Sequence, residues 1–225
     1  MTALFIHTMK DEGVRCFLIR SFLFFLCITM SYQINAQAMC NGSPVNQGKY
    51  FNKKPPITWS NCIGTYSYLG SGGIYHGSFQ SGKTHGEGRL ELSNGSYIEG
   101  NWVDGIFQGY GLIMTVDKNK YEGQWLQREF TGEALFYDET SYEGTWIEGQ
   151  LQGYGLVTHP DKTIYEGNWR DDSYNGYGEI TYLDGSTYKG NWKNGSKDGE
   201  GVLIFSDGKE YAGFWKLDRY FGDIK

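Results

Sequence analysis

A short pattern, Tyr-x-Gly-x-Trp, recurs along this chain at near-constant spacing, and no other feature of the sequence restricts the fold so tightly. Seven segments carry it: IYHGSF, YIEGNW, KYEGQW, SYEGTW, IYEGNW, TYKGNW and EYAGFW, keyed on Tyr75, Ile98, Tyr121, Tyr142, Tyr165, Tyr188 and Tyr211. Successive keys are 23 residues apart, except for a step of 21 between Tyr121 and Tyr142. A fixed period of this length marks a repeat architecture in which one supersecondary unit is stacked on the next. Counting each key residue as position 0, position 2 is always glycine, and position 4 is Phe79, Trp102, Trp125, Trp146, Trp169, Trp192 or Trp215. Position 11 is glycine from Gly86 to Gly222, and position 15 is apolar: Leu90, Ile113, Phe136, Val157, Ile180 and Leu203. Trp59 is the one tryptophan outside this lattice, and its loss is expected to matter less than that of a ladder tryptophan.

These offsets dictate local structure. Tyr, Gly and Trp at positions 0, 2 and 4 alternate with polar residues, the period of a strand with one buried and one wet face. Positions 11, 13 and 15 supply a second strand. Between the two lie Ser81-Gly82, Asp104-Gly105, Glu148-Gly149 and Asn194-Gly195, and between repeats lie Asn94-Gly95, Asp184-Gly185 and Asp207-Gly208. Such dipeptides accept the positive φ angles of tight turns. Each repeat is therefore a β-hairpin, and the chain is expected to form an all-β, elongated, single-layer antiparallel meander of about 14 strands. A single layer has no second sheet to pack on, so its own aromatic residues must form the core. A ring lying over a neighbouring glycine covers bare backbone and recovers apolar contact.

The pattern Y-E-G-x-W-x-x-G-x-x-x-G-x-G resembles the MORN repeat, and the resemblance covers Tyr75–Lys225. The stretch Trp59–Gly77 resembles a degenerate leading half-repeat of exported bacterial members. Residues 39–74 then form a pre-repeat segment. The third repeat departs from the pattern: Arg128 and Ala134 stand where glycines are expected, and the linker FYDET reads as two residues short. A bend or tightened turn near Asp138–Ser141 is expected there.

Ahead of the repeats, Lys10, Arg15 and Arg20 precede the apolar run Phe22–Met30, and Ala36-Gln37-Ala38 follows. A charged stretch, a short apolar core and small residues at a cleavage position read as a secretory signal over residues 1–38, with a buried helix or an uncleaved anchor as alternatives. The expected location is periplasmic or extracellular. Cys16 and Cys27 would leave with the signal, so Cys40 and Cys62 are expected to pair in an oxidising compartment, the alternative being two buried free thiols. The net charge is −6, and loss of the signal makes it one unit more negative. That balance opposes a sequence-independent grip on nucleic acid and weakens docking on anionic lipid.

Several motifs invite chemistry. Gly77–Thr84, GSFQSGKT, satisfies the P-loop formula, but its glycines are repeat positions 2 and 7, and a P-loop needs a parallel strand before it and a helix after it. His76, His85 and His159 have no ligand spacing and read as surface histidines. Glu99, Glu122, Glu143 and Glu166 share position 1 and are expected to line one solvated face, not to act as a catalytic pair. No catalytic residue, cofactor site or metal site is expected. The long, regular surface of a repeat array points to a non-catalytic binding or scaffold module for a protein partner, and the resemblance implies association with membrane phospholipid as the alternative. A further alternative is an aromatic ladder, Tyr75, Phe79, Trp102, Tyr121, Trp125, Tyr142, Trp146, Tyr165, Trp169, Tyr188, Trp192, Tyr211 and Trp215, stacking on a polysaccharide. Rings recurring every two strands, about 9.6 Å, would suit a β-1,4 glycan. Rings already used as core is the competing expectation.

Overall fold

The computed structural model describes residues 38–41, 58–68 and 72–222. Residues 1–37 of the signal-like segment lie outside the described residues. Sixteen strands form one sheet in strict chain order, and among the described residues there is no helix. Before the first repeat come β1 (Ala38–Met39) and β2 (Cys62–Tyr68). The repeats then contribute β3 (Gly73–Gln80) with β4 (Lys83–Glu91), β5 (Tyr97–Val103) with β6 (Ile106–Met114), and β7 (Lys120–Leu126) with β8 (Glu129–Leu135). They continue with β9 (Ser141–Ile147) and β10 (Gln150–Thr158), β11 (Ile164–Arg170) and β12 (Ser173–Thr181), β13 (Thr187–Lys193) and β14 (Ser196–Ile204), and β15 (Glu210–Lys216) and β16 (Arg219–Gly222). The count exceeds the expected 14 because the pre-repeat segment adds two strands. One of these, β1, runs parallel to β2, so the meander is not antiparallel throughout.

The hairpin turns take the geometry their sequences allow. Asp104-Gly105, Glu148-Gly149 and Asn194-Gly195 have positive φ at both residues, the two-residue turn whose twist matches that of paired strands. Between repeats, the carboxylates of Asp138, Asp161, Asp184 and Asp207 close their own turns, and the Asn94 amide oxygen does the same in the first. Asp161 Oδ1 accepts a hydrogen bond from Thr163 N at 2.9 Å, and Asp184 Oδ1 accepts from Ser186 N at 2.9 Å.

Register places a row of glycines across the strands. Gly64, Gly77, Gly88, Gly100, Gly111 and Gly123 face one another in turn, and Gly167, Gly178, Gly190, Gly201 and Gly213 continue the row. Steric space explains the row. A Cβ added to Gly178 would lie 2.4 Å from the Tyr165 hydroxyl, and one added to Gly190 would lie 2.5 Å from the Gly201 Cα. The strands and the ring stacked on them leave room for hydrogen only.

The third repeat is regular where its neighbours are not. In the first, second, fourth, fifth and sixth repeats two extra residues on the second strand form a bulge; in the second, Trp102 is opposite Phe107 but Gly100 is already opposite Gly111. In β7–β8 the pairs are Trp125–Phe130 and Gly123–Gly132, with no shift of register. The expected change near Asp138–Ser141 is absent. The Phe136–Thr140 turn makes the same two backbone bonds, Phe136 N to Thr140 O and Glu139 N to Phe136 O, as the turn at Tyr182–Ser186. The two missing residues are those of the bulge, so Gly132 takes its place in the glycine row and Ala134 pairs with Tyr121 and Tyr142.

Candidate binding surface

The ladder residues point to one face of the sheet, which is the core. Tyr75, Tyr165 and Tyr188 are fully buried, and Phe79, Trp102, Tyr142, Trp146, Trp169, Trp192 and Trp215 are buried as well. Tyr121, Trp125 and Tyr211 are half-buried and pack on the same cluster. Tyr75, Tyr165 and Tyr188 each lie over the glycine pair of their own hairpin and bond back to their own strand: Tyr75 O–H donates to Ser78 O at 3.2 Å, Tyr165 O–H to Asn168 O at 2.9 Å, and Tyr188 O–H to Asn191 O at 3.1 Å. Each tryptophan reaches the previous repeat. Trp102 sits opposite Gly86 and donates Nε1–H to Gly88 O at 3.1 Å, and Trp192 opposite Gly176 donates to Gly178 O at 3.2 Å. A buried indole thereby keeps a partner for its N–H while its ring covers bare backbone. This corrects the glycan-ladder reading: the ring faces are consumed by glycines and by edge-to-face contacts, such as Tyr165–Trp192 at 5.6 Å between centroids.

Position 9 completes the core and was missed in the sequence. Thr84, Phe107, Phe130, Leu151, Tyr174, Lys197 and Tyr220 occupy it, each paired with the position-4 ring of its own hairpin. Tyr174 stacks on Tyr165 at 3.6 Å, and the Lys197 ammonium lies 5.2 Å from the Tyr188 ring and 5.6 Å from that of Trp215. Lysine spans the slot with its apolar stem and holds its charge over aromatic faces. In the first repeat Thr84 leaves this slot short. Trp59 comes in, edge-on to Phe79 at 5.0 Å and only 3 % exposed, with Nε1–H donating to Asn41 O at 2.8 Å. The expectation that Trp59 stands apart from the lattice is therefore wrong. Beside it the Cys40 and Cys62 sulfurs are bonded at 2.07 Å, tying the end of β1 to the start of β2.

Burial lifts the phenols of the core. Those of Tyr174 and Tyr188 are pushed up to about 12, chiefly by removal of the charged form from water, and those of Tyr75, Tyr142 and Tyr165 are raised for the same reason.

The opposite face is the one left to solvent. Of the position-1 carboxylates, Glu99 is paired with Arg89 at 3.1 Å and Glu122 with Lys120 at 2.6 Å, while Glu166 accepts from the Tyr154 hydroxyl at 2.8 Å. Glu143 lies across from Glu133. Tyr110, Tyr154 and Tyr177, at position 12 between the two glycines, stand on this outer face, and Tyr154 and Tyr177 are exposed. Gly77–Thr84 spans an antiparallel hairpin with no helix after it, and the Thr84 side chain is buried. His76 Nδ1 contacts Thr65 Oγ1 at 2.8 Å, and His159 Nε2 contacts the Tyr174 hydroxyl at 3.0 Å. Among the described residues no group of three His, Cys, Asp or Glu side chains is placed to hold a metal ion.

A family model described as the MORN repeat matches residues 75–97, 99–119, 142–164, 165–187 and 188–210, together half of the chain. The chain belongs to the MORN-repeat family. The family match passes over residues 121–141, where the bulge is missing. MORN repeats are non-catalytic modules that bind proteins or membranes. No curated protein matched the chain. Among solved structures, the chain is similar to the TCP domain of Drosophila melanogaster SAS-4 (dCPAP) in complex with a proline-rich motif of Ana2 (dSTIL). That match has 14 % identity over 68 % of this chain and 84 % of the other, with a TM-score of 0.43. A G-box domain of the microcephaly protein CPAP matches at 12 % identity over 68 % of this chain and 74 % of the other, with a TM-score of 0.36.

Proposed function

We propose that this MORN-repeat protein is an exported, non-catalytic scaffold that binds a protein partner through the outer face of its sheet. The observation that carries the reading is the burial of the aromatic ladder: rings that form the core are not free for a ligand, so recognition falls to the opposite face and its turns. Repeat architectures use one extended surface in this way. Export is supported by the signal-like residues 1–38 and by the Cys40–Cys62 bridge, a bond that persists in oxidising compartments.

The test is affinity capture from the native compartment with the wild-type chain and with Tyr154→Ser/Tyr177→Ser. Both side chains are exposed, so the fold is retained. A partner held by the wild type and lost by the variant supports the reading. Recovery of no partner, together with hydrolysis of a cell-envelope substrate, overturns it. Flotation with liposomes at low salt is expected to leave the acidic protein in the soluble fraction. Chitin, cellulose or peptidoglycan fragments in a native gel are expected not to retard it.

A further inference from the structure

Position 5, the last residue of each first strand, is exposed in every repeat: Gln80, Val103, Leu126, Ile147, Arg170, Lys193 and Lys216. It alternates with the buried Trp of position 4, so the row runs along the outer face beside the hairpin turns. Its chemistry changes once along the array. Repeats two to four present Val103, Leu126 and Ile147, with Leu126 61 % exposed and Ile106 beside them at 59 %. Repeats five to seven present Arg170, Lys193 and Lys216. Among the described residues the ion pairs involve Arg89, Lys120, Arg128 and Lys189, and none uses these three cations. A depression of about 530 Å³ lies in the half formed by repeats two to four, lined by Val103, Gln108, Gln124, Leu126, Glu129 and Thr131.

A solvated face does not require such a row. Water is served by polar residues at this position, as Gln80 shows, and three branched apolar side chains in consecutive repeats cost solubility unless something covers them. We infer that this row docks an extended segment of a protein partner whose apolar residues are followed by acidic ones. The apolar part lies on Val103, Ile106, Leu126 and Ile147, and the carboxylates pair with Arg170, Lys193 and Lys216. Neighbouring repeats advance by about 9.6 Å, close to the span of three extended residues, so a segment of roughly 16 residues reaches from Val103 to Lys216. Charge complementarity selects an acidic partner at the cationic half, and the overall negative charge of the chain keeps nucleic acid and anionic surfaces away. The inference rests on the protein-binding reading above and specifies its site.

A display library of random 16-residue peptides, selected on the full chain, tests it. Wild type is compared with Leu126→Ser/Ile147→Ser and with Lys193→Glu/Lys216→Glu, all at exposed positions. The selected peptides are expected to carry an apolar cluster followed by Asp or Glu. Synthetic copies should bind each variant about tenfold more weakly than wild type, and more weakly still as salt is raised. Peptides with Lys in place of the acids should prefer the charge-reversed variant. Selected peptides without acids, or binding unchanged by both variants, overturn the inference and leave the protein-binding reading standing. If no peptide is enriched while a partner is still captured in a Tyr154- and Tyr177-dependent way, the inference falls alone. Binding to phosphatidylglycerol vesicles that Lys193→Glu/Lys216→Glu abolishes, with no peptide enriched, assigns the row to lipid and also overturns it.

Discussion

Replacement of one glycine by alanine tests whether ring and glycine row form a single packed unit. At Gly178 the three atoms nearest the added methyl group all belong to Tyr165: its hydroxyl at 2.4 Å, Cζ at 2.7 Å and Cε2 at 2.8 Å. The ring has nowhere to go, because it is stacked on Tyr174 at 3.6 Å and bonded to Asn168 O. Overpacking of this kind costs about 3 kcal/mol, and alanine returns about 0.5–1 kcal/mol of backbone entropy. Gly178→Ala should therefore destabilise by about 2 kcal/mol. Gly185→Ala serves as a control, since its φ of 82° strains any L-residue by about 1–2 kcal/mol but its surroundings are open. Leucine at position 165 lacks all three clashing atoms. In a Tyr165→Leu background Gly178→Ala should cost nothing or stabilise slightly, while Gly185→Ala keeps its full cost. Urea midpoints of the four glycine variants, followed by tryptophan fluorescence, give the coupling directly. An equal cost of Gly178→Ala in both backgrounds refutes the ring-over-glycine account.

Three further outcomes are expected. Since the Tyr174 and Tyr188 phenols are raised to about 12, their contribution is complete below pH 10 and is lost as pH rises from 10 through 12; urea midpoints at pH 9 and 11 should fall apart, and less so in Tyr174→Phe. Trp59→Ala and Trp169→Ala should each cost about 3–5 kcal/mol, and a midpoint for Trp59→Ala close to wild type would remove it from the core. Unreduced protein from its native host should show the Cys40–Cys62 bond as a loss of two hydrogens, and Cys40→Ser/Cys62→Ser should cost roughly 3 kcal/mol, whereas two titratable thiols would contradict the bridge.

What could be read from the sequence followed from strict repetition. Tyr, Gly and Trp at positions 0, 2 and 4 announced the strand, its buried face and the pairing of ring with glycine, because the same letters recur in each copy. Position 9 escaped for the opposite reason. Phenylalanine, leucine, tyrosine and lysine all fill that slot, since the core asks there for bulk and apolar length and not for one side chain, and the first repeat places a threonine there. The third repeat misled because a two-residue gap can be placed in the linker or in the G-x-G stretch with equal ease. Only the pairing of Gly132 with both Gly123 and Gly144 fixes it in the bulge. Trp59 answers a vacancy left by Thr84, a complement between residues 25 apart that no single repeat displays. The chemical division of position 5 was present in the letters, but it means something only once that row is known to face solvent.

The central claim is that the aromatic face is core and the outer face is the surface that recognises a partner. Hydroxyl-radical footprinting of the protein, free and with its captured partner, measures both halves at once. In the free protein, Tyr154, Tyr177, Leu126 and Ile147 should oxidise readily, while Trp102, Trp146, Trp169 and Trp192 stay protected. Binding should then protect the outer-face set and leave the tryptophans unchanged. Rapid oxidation of the tryptophans in the free protein, suppressed when the partner binds, would contradict the account.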